Sequence, residues 1–507
     1  MTVARTWAVA LTGIEGALVE VEADLSQQTP GFQIIGLPDK ALGEAAQRVH
    51  NACANCGLEL PRRKLTVNLS PASLPKHGSG FDVAIAVAAL ATELALDQES
   101  VGATVHLGEL GLDGRLRAVP GVLPSVLAAA RAGIRRVVVP RALRDEAELV
   151  GGVQVLGATT LADVLQWHGA DVEPVDLPPL VPPPVDEPAT EPMDLADVVG
   201  QGDAVDALVV AAAGGHHLLL SGPPGAGKTM LARRLPGILP PLDDAAALRV
   251  ASVRSLAGRP VRALSRTPPF EAPHHSASTA ALVGGGSRVV RPGAIARASD
   301  GVLFIDEAGE VSGAALDALR QPLESGRIEI HRVGFSASFP ARFQLVLATN
   351  PCPCGNYGVR GGVCACPPAA IRRYRGRLSG PLRDRIDIEL NMLRVADPGL
   401  GAGPVTTSAE ARERVRDARD RAARRLRDAP WRINAELPGV WLRRGPRALP
   451  AAARRPLDAA LQRGALTLRG YDRVLRVAWS VADLAGVDAP GIDEVGRALY
   501  LKRGVAG

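Results

Sequence analysis

Three stretches of this chain are apolar without alternation: Leu218-Leu219-Leu220, Gly301-Val302-Leu303-Phe304-Ile305, and Phe343-Gln344-Leu345-Val346-Leu347-Ala348. Runs of that kind suit strands buried on both faces of a parallel sheet. A period-two stretch, Arg327 to Arg332, turns near Gly334 and returns through Phe335 to Phe343, which predicts a hairpin. Helical spacing dominates the C-terminal part: Ser408 to Arg427, Leu457 to Arg463, Arg469 to Ala485 and Asp493 to Arg503. A further helical stretch runs from Leu42 to Cys56. Residues 172–192 hold eight prolines and predict an extended, semi-rigid linker.

The residues at the ends of the apolar runs carry the chemistry. After the first comes Gly222-Pro223-Pro224-Gly225-Ala226-Gly227-Lys228-Thr229, a phosphate-binding loop pattern without mismatch. Its glycines let backbone N–H groups turn toward phosphate oxygens, and the following helix adds positive potential. Lys228 would reach the β- and γ-phosphates of ATP, and the Thr229 hydroxyl would hold Mg²⁺. The second run ends in Asp306 and Glu307, acids at the carboxyl end of a buried strand, where ligand crevices open. Asp306 would hold Mg²⁺ and Glu307 would polarise the attacking water. The third run ends at Asn350, which could orient that water or simply close the strand.

Composition adds bounds. A length of 507 residues predicts about three domains. Aromatics are 3% of the chain, so packing relies on Ala, Leu and Val. No apolar stretch approaches the length that spans a bilayer. Glu15, Glu20 and Glu22 interrupt any secretory pattern, and a cytosolic protein with no membrane partner is expected. The net charge of +5 is mild. Basic residues crowd Arg412 to Arg427, but Glu410, Glu413, Asp417 and Asp420 interleave them, which favours an exposed helix with intrahelical pairs over a nucleic-acid stripe. Six cysteines in a chain this long exclude a disulfide scaffold. Cys352, Cys354, Cys364 and Cys366 form two C-x-C pairs on a glycine-rich loop, a candidate structural Zn²⁺ site or four reduced thiols. Cys53 and Cys56 lack a partner pair and read as core and surface thiols.

Further segments accompany these motifs: Gly31 to Asp39 (GFQIIGLPD), Asn68 to Ala72 (NLSPA), Pro75 to Asp82 (PKHGSGFD), Glu271 to Ser276 (EAPHHS), Arg291 to Ile295 (RPGAI), Asn350 to Gly355 (NPCPCG) and Gly380 to Asp387 (GPLRDRID). With them the chain resembles the magnesium-chelatase-like AAA+ ATPases of the YifB/ComM type over nearly its whole length. The resemblance implies an α/β protein in four parts. These are a Lon-protease-like α+β N-terminal domain (1–171), the linker (172–192), an AAA+ P-loop α/β core with hairpin insertions and the Cys loop (193–395), and a helical lid (396–507). It also implies a homo-hexameric ring in which one subunit supplies an arginine to its neighbour's ATP, the role that falls on Arg385. The lid arginine falls on Arg469, with Arg473 and Arg476 as rivals. Two insertions mark the clade: Pro273 to Arg297, where Gly284-Gly285-Gly286 would make a mobile loop, and the hairpin. If the hairpin points into a pore, His331, Arg332 and Arg288 would touch a DNA backbone; a hairpin that only buttresses the subunit interface is equally open.

The Lon-like match runs through Leu107 to Leu116 and Ala132 to Pro140. Lon uses a Ser–Lys dyad. Here the serine position falls on Gly80 and the lysine position near Leu123 or Pro124. No lysine stands between Lys76 and Lys228, so Ser79 lacks a base and proteolysis is disfavoured. A scaffold or nucleic-acid platform is expected instead. The function implied is an ATP-driven motor that remodels DNA, as in branch migration during recombination or transformation. The alternative is a magnesium-chelatase-like motor that remodels a partner protein without DNA.

Overall fold

A seven-stranded mixed sheet forms the first half of the fold. From edge to edge its strands are Gly31–Ile35, Lys64–Ser70, Glu15–Ser26, Ala4–Thr12, Thr104–His106, Arg136–Pro140 and Gln154–Ala158. Ala4–Thr12 and Glu15–Ser26 pair antiparallel through a tight turn, in a register that sets Thr12 against Glu15. Buried and half-exposed positions alternate along Lys64–Ser70, as expected for a sheet with one covered face. Helix Asp82–Leu90, apolar apart from Asp82, is buried at every residue. It can lie in the core because Arg48 meets Asp82 twice, at 2.7 and 2.9 Å, and the Leu110 N–H donates to the same carboxylate. Burial still pushes Asp82 up to about 6 against these partners.

This computed structural model describes residues 3–37, 39–175, 177, 180, 193–286, 290–332, 335–359, 361–395 and 405–503. Most of the proline-rich linker, Arg288, Gly334 and the side chain of Arg332 lie outside the described residues. Among those described, no helix is long and apolar enough to cross a membrane.

The second sheet has five parallel strands in the order Phe270–Glu271, Val302–Ile305, Gln344–Thr349, Leu218–Ser221 and Ile388–Asn391. Val302–Ile305 and Gln344–Thr349 are buried at every position, which accounts for their lack of alternation. The C-terminal helices Ser408–Arg425, Ala451–Gln462, Leu468–Ala485 and Ile492–Arg503 share one core with this sheet, in which Leu208, Phe304, Val415 and Trp479 are all buried.

Helix Ser408–Arg425 has the exposed charged face expected, with an intrahelical pair between Arg416 and Glu413 at 3.3 Å, but other arginines of the helix reach beyond it. Arg419 donates to the Ala212 carbonyl at 3.0 and 2.7 Å, and Arg425 pairs with buried Asp483. Arg412 donates to the Gly237 carbonyl at 2.8 Å. These guanidiniums satisfy carbonyls and an acid at helix junctions, where an Arg fork can serve two acceptors.

The predicted hairpin is present as Arg327–Arg332 paired with Phe335–Pro340. Its return strand rests on the N-terminal sheet: Gly13 and Ser338 form a β-bridge, and Ala337 and Phe339 pack with Leu11 and Ile14. Buried Glu146 adds a second tie between the halves, accepting from Leu123 N at 3.3 Å and Val261 N at 3.2 Å.

Candidate nucleotide site

Three adjacent parallel strands bring the site together. Leu218–Ser221 lies beside Gln344–Thr349 with Ser221 opposite Thr349, and Gln344–Thr349 lies beside Val302–Ile305 with Ile305 opposite Leu347. Their carboxyl ends therefore set the 222–229 loop, Asn350, and the Asp306–Glu307 pair side by side. Gly227 holds φ +83°, a conformation that caps helix Lys228–Ile238 and that side chains other than glycine's rarely adopt.

Lys228 is buried and donates to the Gly222 carbonyl at 2.6 Å, the Pro223 carbonyl at 2.9 Å and Asn350 Oδ1 at 3.0 Å. Burial lowers its pKa, opposed by the charges of Asp306 and Glu307. A phosphate would compete for this ammonium with neutral carbonyls, a contest a charge-assisted bond wins. The Thr229 hydroxyl donates to Asp306 Oδ2 at 2.7 Å, and Glu307 N donates to Asp306 Oδ1 at 2.9 Å. A hydroxyl and a carboxylate in contact are the hard oxygen donors Mg²⁺ takes, together with water and phosphate oxygens. Arg394 donates to the Pro224 carbonyl at 2.9 Å and so steadies the loop from outside its motif.

The four cysteines meet. All four sulfurs lie within 4.8 Å of one another, with Cys352–Cys354 at 3.4 Å, Cys354–Cys364 at 3.6 Å and Cys352–Cys364 at 3.7 Å. Tetrahedral Zn–S bonds of about 2.3 Å put sulfurs about 3.8 Å apart, so the set fits Zn²⁺. The Tyr357 N–H points at Cys352 Sγ at 3.4 Å, and the Asn356 N–H is the chief cause that pulls the Cys354 thiol down to about 6. Both favour thiolate ligands. The loop abuts the nucleotide site: a Cβ at Gly355 would lie 2.4 Å from Pro224 Cδ.

Arg385 and Arg469 lie elsewhere. They line one cavity of about 190 Å³ with Glu324, Asp384, Arg473 and Arg476, and none of residues 222–229, 306, 307 or 350 lines it. Arg385 is buried, paired with Glu324 and donating to the Pro381 carbonyl at 2.5 Å. Arg473 and Arg476 are committed within the chain. Arg473 meets buried Asp387 at 2.6 Å and the Asp384 carbonyl at 2.7 Å, and Arg476 donates to the Leu437 carbonyl at 2.7 Å. Although burial opposes it, Arg473 holds Asp387 well below the usual carboxylate range. Arg469 is exposed and has no hydrogen bond or ion pair among the described residues. Of the three rivals it alone is uncommitted to any partner among the described residues.

His331 is exposed on the hairpin, with Nε2 3.5 Å from Glu329 Oε2. Ser79 donates to Glu109, and the positions near Leu123 and Pro124 are buried in helix Val122–Arg131 without a lysine. Sequence reasoning missed His275, whose Nδ1 lies 3.0 Å from Glu307 Oε2. It stands within the segment EAPHHS, but nothing in its spacing ties it to Glu307.

A parallel sheet that gathers a phosphate loop, paired acids and a strand-end asparagine at one edge defines the nucleotide-binding fold of P-loop ATPases. Models of three family regions match along the chain: "Subunit ChlI of Mg-chelatase" over residues 21–142, "Magnesium chelatase, subunit ChlI" over 194–398, and "Magnesium chelatase, subunit ChlI C-terminal" over 405–502. The chain is 41% identical to the competence protein ComM of Haemophilus influenzae, over 96% of this chain and 94% of that protein. It is 40% identical to YifB of Escherichia coli, over 94% and 92% of the two chains. A shorter match, 28% identical over 31% of this chain and 21% of the relative, joins it to Lon protease of Mycolicibacterium smegmatis. The chain belongs to the YifB/ComM-type magnesium-chelatase-like family of AAA+ proteins.

Proposed function

We propose that this protein hydrolyses ATP as a ring of identical subunits and uses the cycle to remodel DNA. The observation that carries the ATP part is the convergence of Lys228, Thr229, Asp306, Glu307 and Asn350 at the ends of three adjacent strands. In this reading Lys228 draws charge from the β- and γ-phosphates, and Thr229 and Asp306 hold Mg²⁺, which would neutralise phosphate charge. Glu307 takes a proton from the attacking water, and Asn350 keeps its amide N–H₂ for the γ-phosphate while its oxygen accepts from Lys228.

The ring is inferred from the second cavity. Arg385 and Arg469 share a site that holds no P-loop residue, as expected of groups offered to a neighbour's nucleotide. Arg469 is ready for that role; Arg385 must first leave Glu324. DNA as substrate is supported by the similarity to a competence protein and by a hairpin whose root is braced on the N-terminal sheet. The Lon-like half serves as that brace and not as a protease.

Steady-state ATPase activity with and without a four-way DNA junction, at two salt concentrations, tests the proposal, with Lys228→Ala as the blank. Stimulation that fades as salt rises is expected. A Lys228-dependent rate indifferent to every DNA would discard the DNA part and leave a motor that acts on a partner protein.

A further inference from the structure

No Asp or Glu stands between Glu329 and Asp384, the longest acid-free stretch of the chain. Its later part, residues 351–383, holds six arginines, so this one segment exceeds the net charge of +5 of all 507 residues. Four thiolates on a bound Zn²⁺ would cancel about two of those charges and leave the segment basic. Helix Pro368–Gly376 sorts the side chains. Ile371 and Tyr374 are its buried positions, with buried Leu378 just beyond its end, and Arg372, Arg373 and Arg375 are exposed. Arg372 and Arg373 have no hydrogen bond or ion pair among the described residues.

These arginines stand beside an aromatic ring. The Arg375 guanidinium lies over Tyr357, 4.9 Å from the ring centroid, and Arg375 Nε donates to the Pro351 carbonyl at 3.2 Å. Both contacts join the helix to the Cys loop, where Tyr357 is 44% exposed. Uncommitted guanidiniums next to a half-exposed ring suit a nucleic-acid single strand: charge for its phosphates, a flat face for a base. On the hairpin, by contrast, the charge of Glu329 lies 3.5 Å from His331 Nε2.

The buried face of the same helix reaches the nucleotide site. A Cβ on Gly309 would lie 2.2 Å from Tyr374 Cζ, so the ring packs directly on that backbone. Arg377 donates to the Gly309 carbonyl, and also to Glu310 Oε2 at 3.2 Å. Gly309 and Glu310 belong to the turn that follows Asp306 and Glu307.

We infer that the exposed face of helix Pro368–Gly376 and Tyr357 of the Cys loop bind single-stranded DNA. Arg372 and Arg373 take its phosphates, and Tyr357 stacks on a base. A strand held there lies one helix diameter, about 10 Å, from the acid-pair turn, close enough for its arrival to bear on hydrolysis. The inference rests on the proposed DNA substrate and names a surface for it outside the hairpin.

Fluorescence anisotropy of a dye-labelled mixed-sequence DNA strand, and of its duplex, tests the surface in the full chain across a salt series. Arg372→Ala with Arg373→Ala should raise Kd for the strand at least ~10-fold and flatten the slope of log affinity against log salt by about 1.4. Tyr357→Ala should raise Kd about 5-fold with the slope unchanged, and Tyr357→Phe should bind like the parent. In the double variant ATPase without DNA stays within about 2-fold while stimulation by the strand is lost. Melting temperatures within about 2 °C of the parent establish that the variants are folded. Parental Kd and slope in the double variant would overturn the inference. So would a fall in DNA-free ATPase with Kd unchanged, which would place these arginines at a subunit contact. Equal losses on the duplex, with Tyr357→Ala binding like the parent, would overturn the single-strand assignment. A parent that binds neither probe defeats the DNA reading and this inference with it; a parent that binds beside an unaffected double variant defeats this surface alone.

Discussion

The two sheets of this protein treat the polar groups around their strand ends in opposite ways. In the N-terminal sheet several such groups are taken up by their own chain. Lys76, fully buried, donates to the Gly36 and Leu69 carbonyls at 2.9 Å each and also to Pro71. Arg48 occupies Asp82, and Glu109 occupies the Ser79 hydroxyl. Around the nucleotide sheet two groups are underused: Glu307 has one neighbour and Arg469, on helix Leu468–Ala485, has no partner among the described residues, whereas Lys228 already meets three oxygens that a phosphate would have to replace. Saturated polar groups stabilise a fold, whereas groups with donors and acceptors to spare can take a ligand. Two sheets of one chain thus divide support from chemistry, and the division is set by who bonds to whom.

The contrast can be broken most strongly at the arginine cavity. Arg473→Ala strips buried Asp387 of its ion pair, and a loss of about 3–5 kcal/mol in unfolding free energy is expected by denaturant titration. Arg469→Ala should leave that free energy within about 0.5 kcal/mol while lowering ATPase activity at least ~10-fold. Equal destabilisation by both would erase the distinction between committed and available arginines.

Acid tests the saturated side. His106 and His168 share a buried Nε2···Nε2 contact of 2.9 Å, flanked by Thr6 at 2.8 Å and Ser100 at 3.0 Å. Thr6 donates to the Val101 and Thr104 carbonyls, so its oxygen accepts from His106 Nδ1–H; His168 Nε2–H then serves His106, and the Ser100 hydroxyl serves His168. Burial pushes His168 down to about 4 and His106 well below its usual value. The unfolded chain takes up these protons near pH 6.5 and the folded one does not, so their contribution is full above about pH 6.5 and is lost as pH falls toward 4. His168 alone contributes on the order of 3 kcal/mol to that loss. His217, just before strand Leu218–Ser221 of the other sheet and also pushed down to about 4 by burial, adds to the slope, and Asp82 opposes it. Trp167, whose ring lies 5.2 Å from that of His168, reports the transition by fluorescence, and His168→Asn should flatten the pH dependence.

The cysteine loop carries a smaller effect. Cys354→Ser should lose bound zinc, measured by a metal-sensitive dye after acid release, and should lower ATPase about 10-fold through the contact of Gly355 with Pro224. Retention of one zinc per chain in that variant would remove Cys354 from the ligand set. Ser79→Ala is expected to change nothing: ATPase within about 2-fold, and casein intact before and after the substitution. Casein cleavage abolished by Ser79→Ala would restore a protease to the saturated sheet.

The pieces whose chemistry is local are legible in the amino-acid order. A phosphate loop is eight consecutive residues, the acid pair ends a single strand, and the cysteines stand within one loop, so chain connectivity alone keeps each set together. The amino-acid order also indicates the hairpin and most of the C-terminal helices, because their periodicity records which face is buried. The remaining roles depend on partners that folding brings in from distant parts of the chain. Arg469, Arg473 and Arg476 succeed one another on one helix and are chemically alike; what separates them is that Asp387 and the Leu437 carbonyl, remote in sequence, lie within reach of two of them. Arg412, Arg419 and Arg425 of helix Ser408–Arg425 read as part of an exposed charged face until Ala212, Gly237 and Asp483 are placed against them. His275 meets Glu307 through the register of two parallel strands, and register is set by the packing of the whole sheet, which no stretch of neighbouring residues encodes.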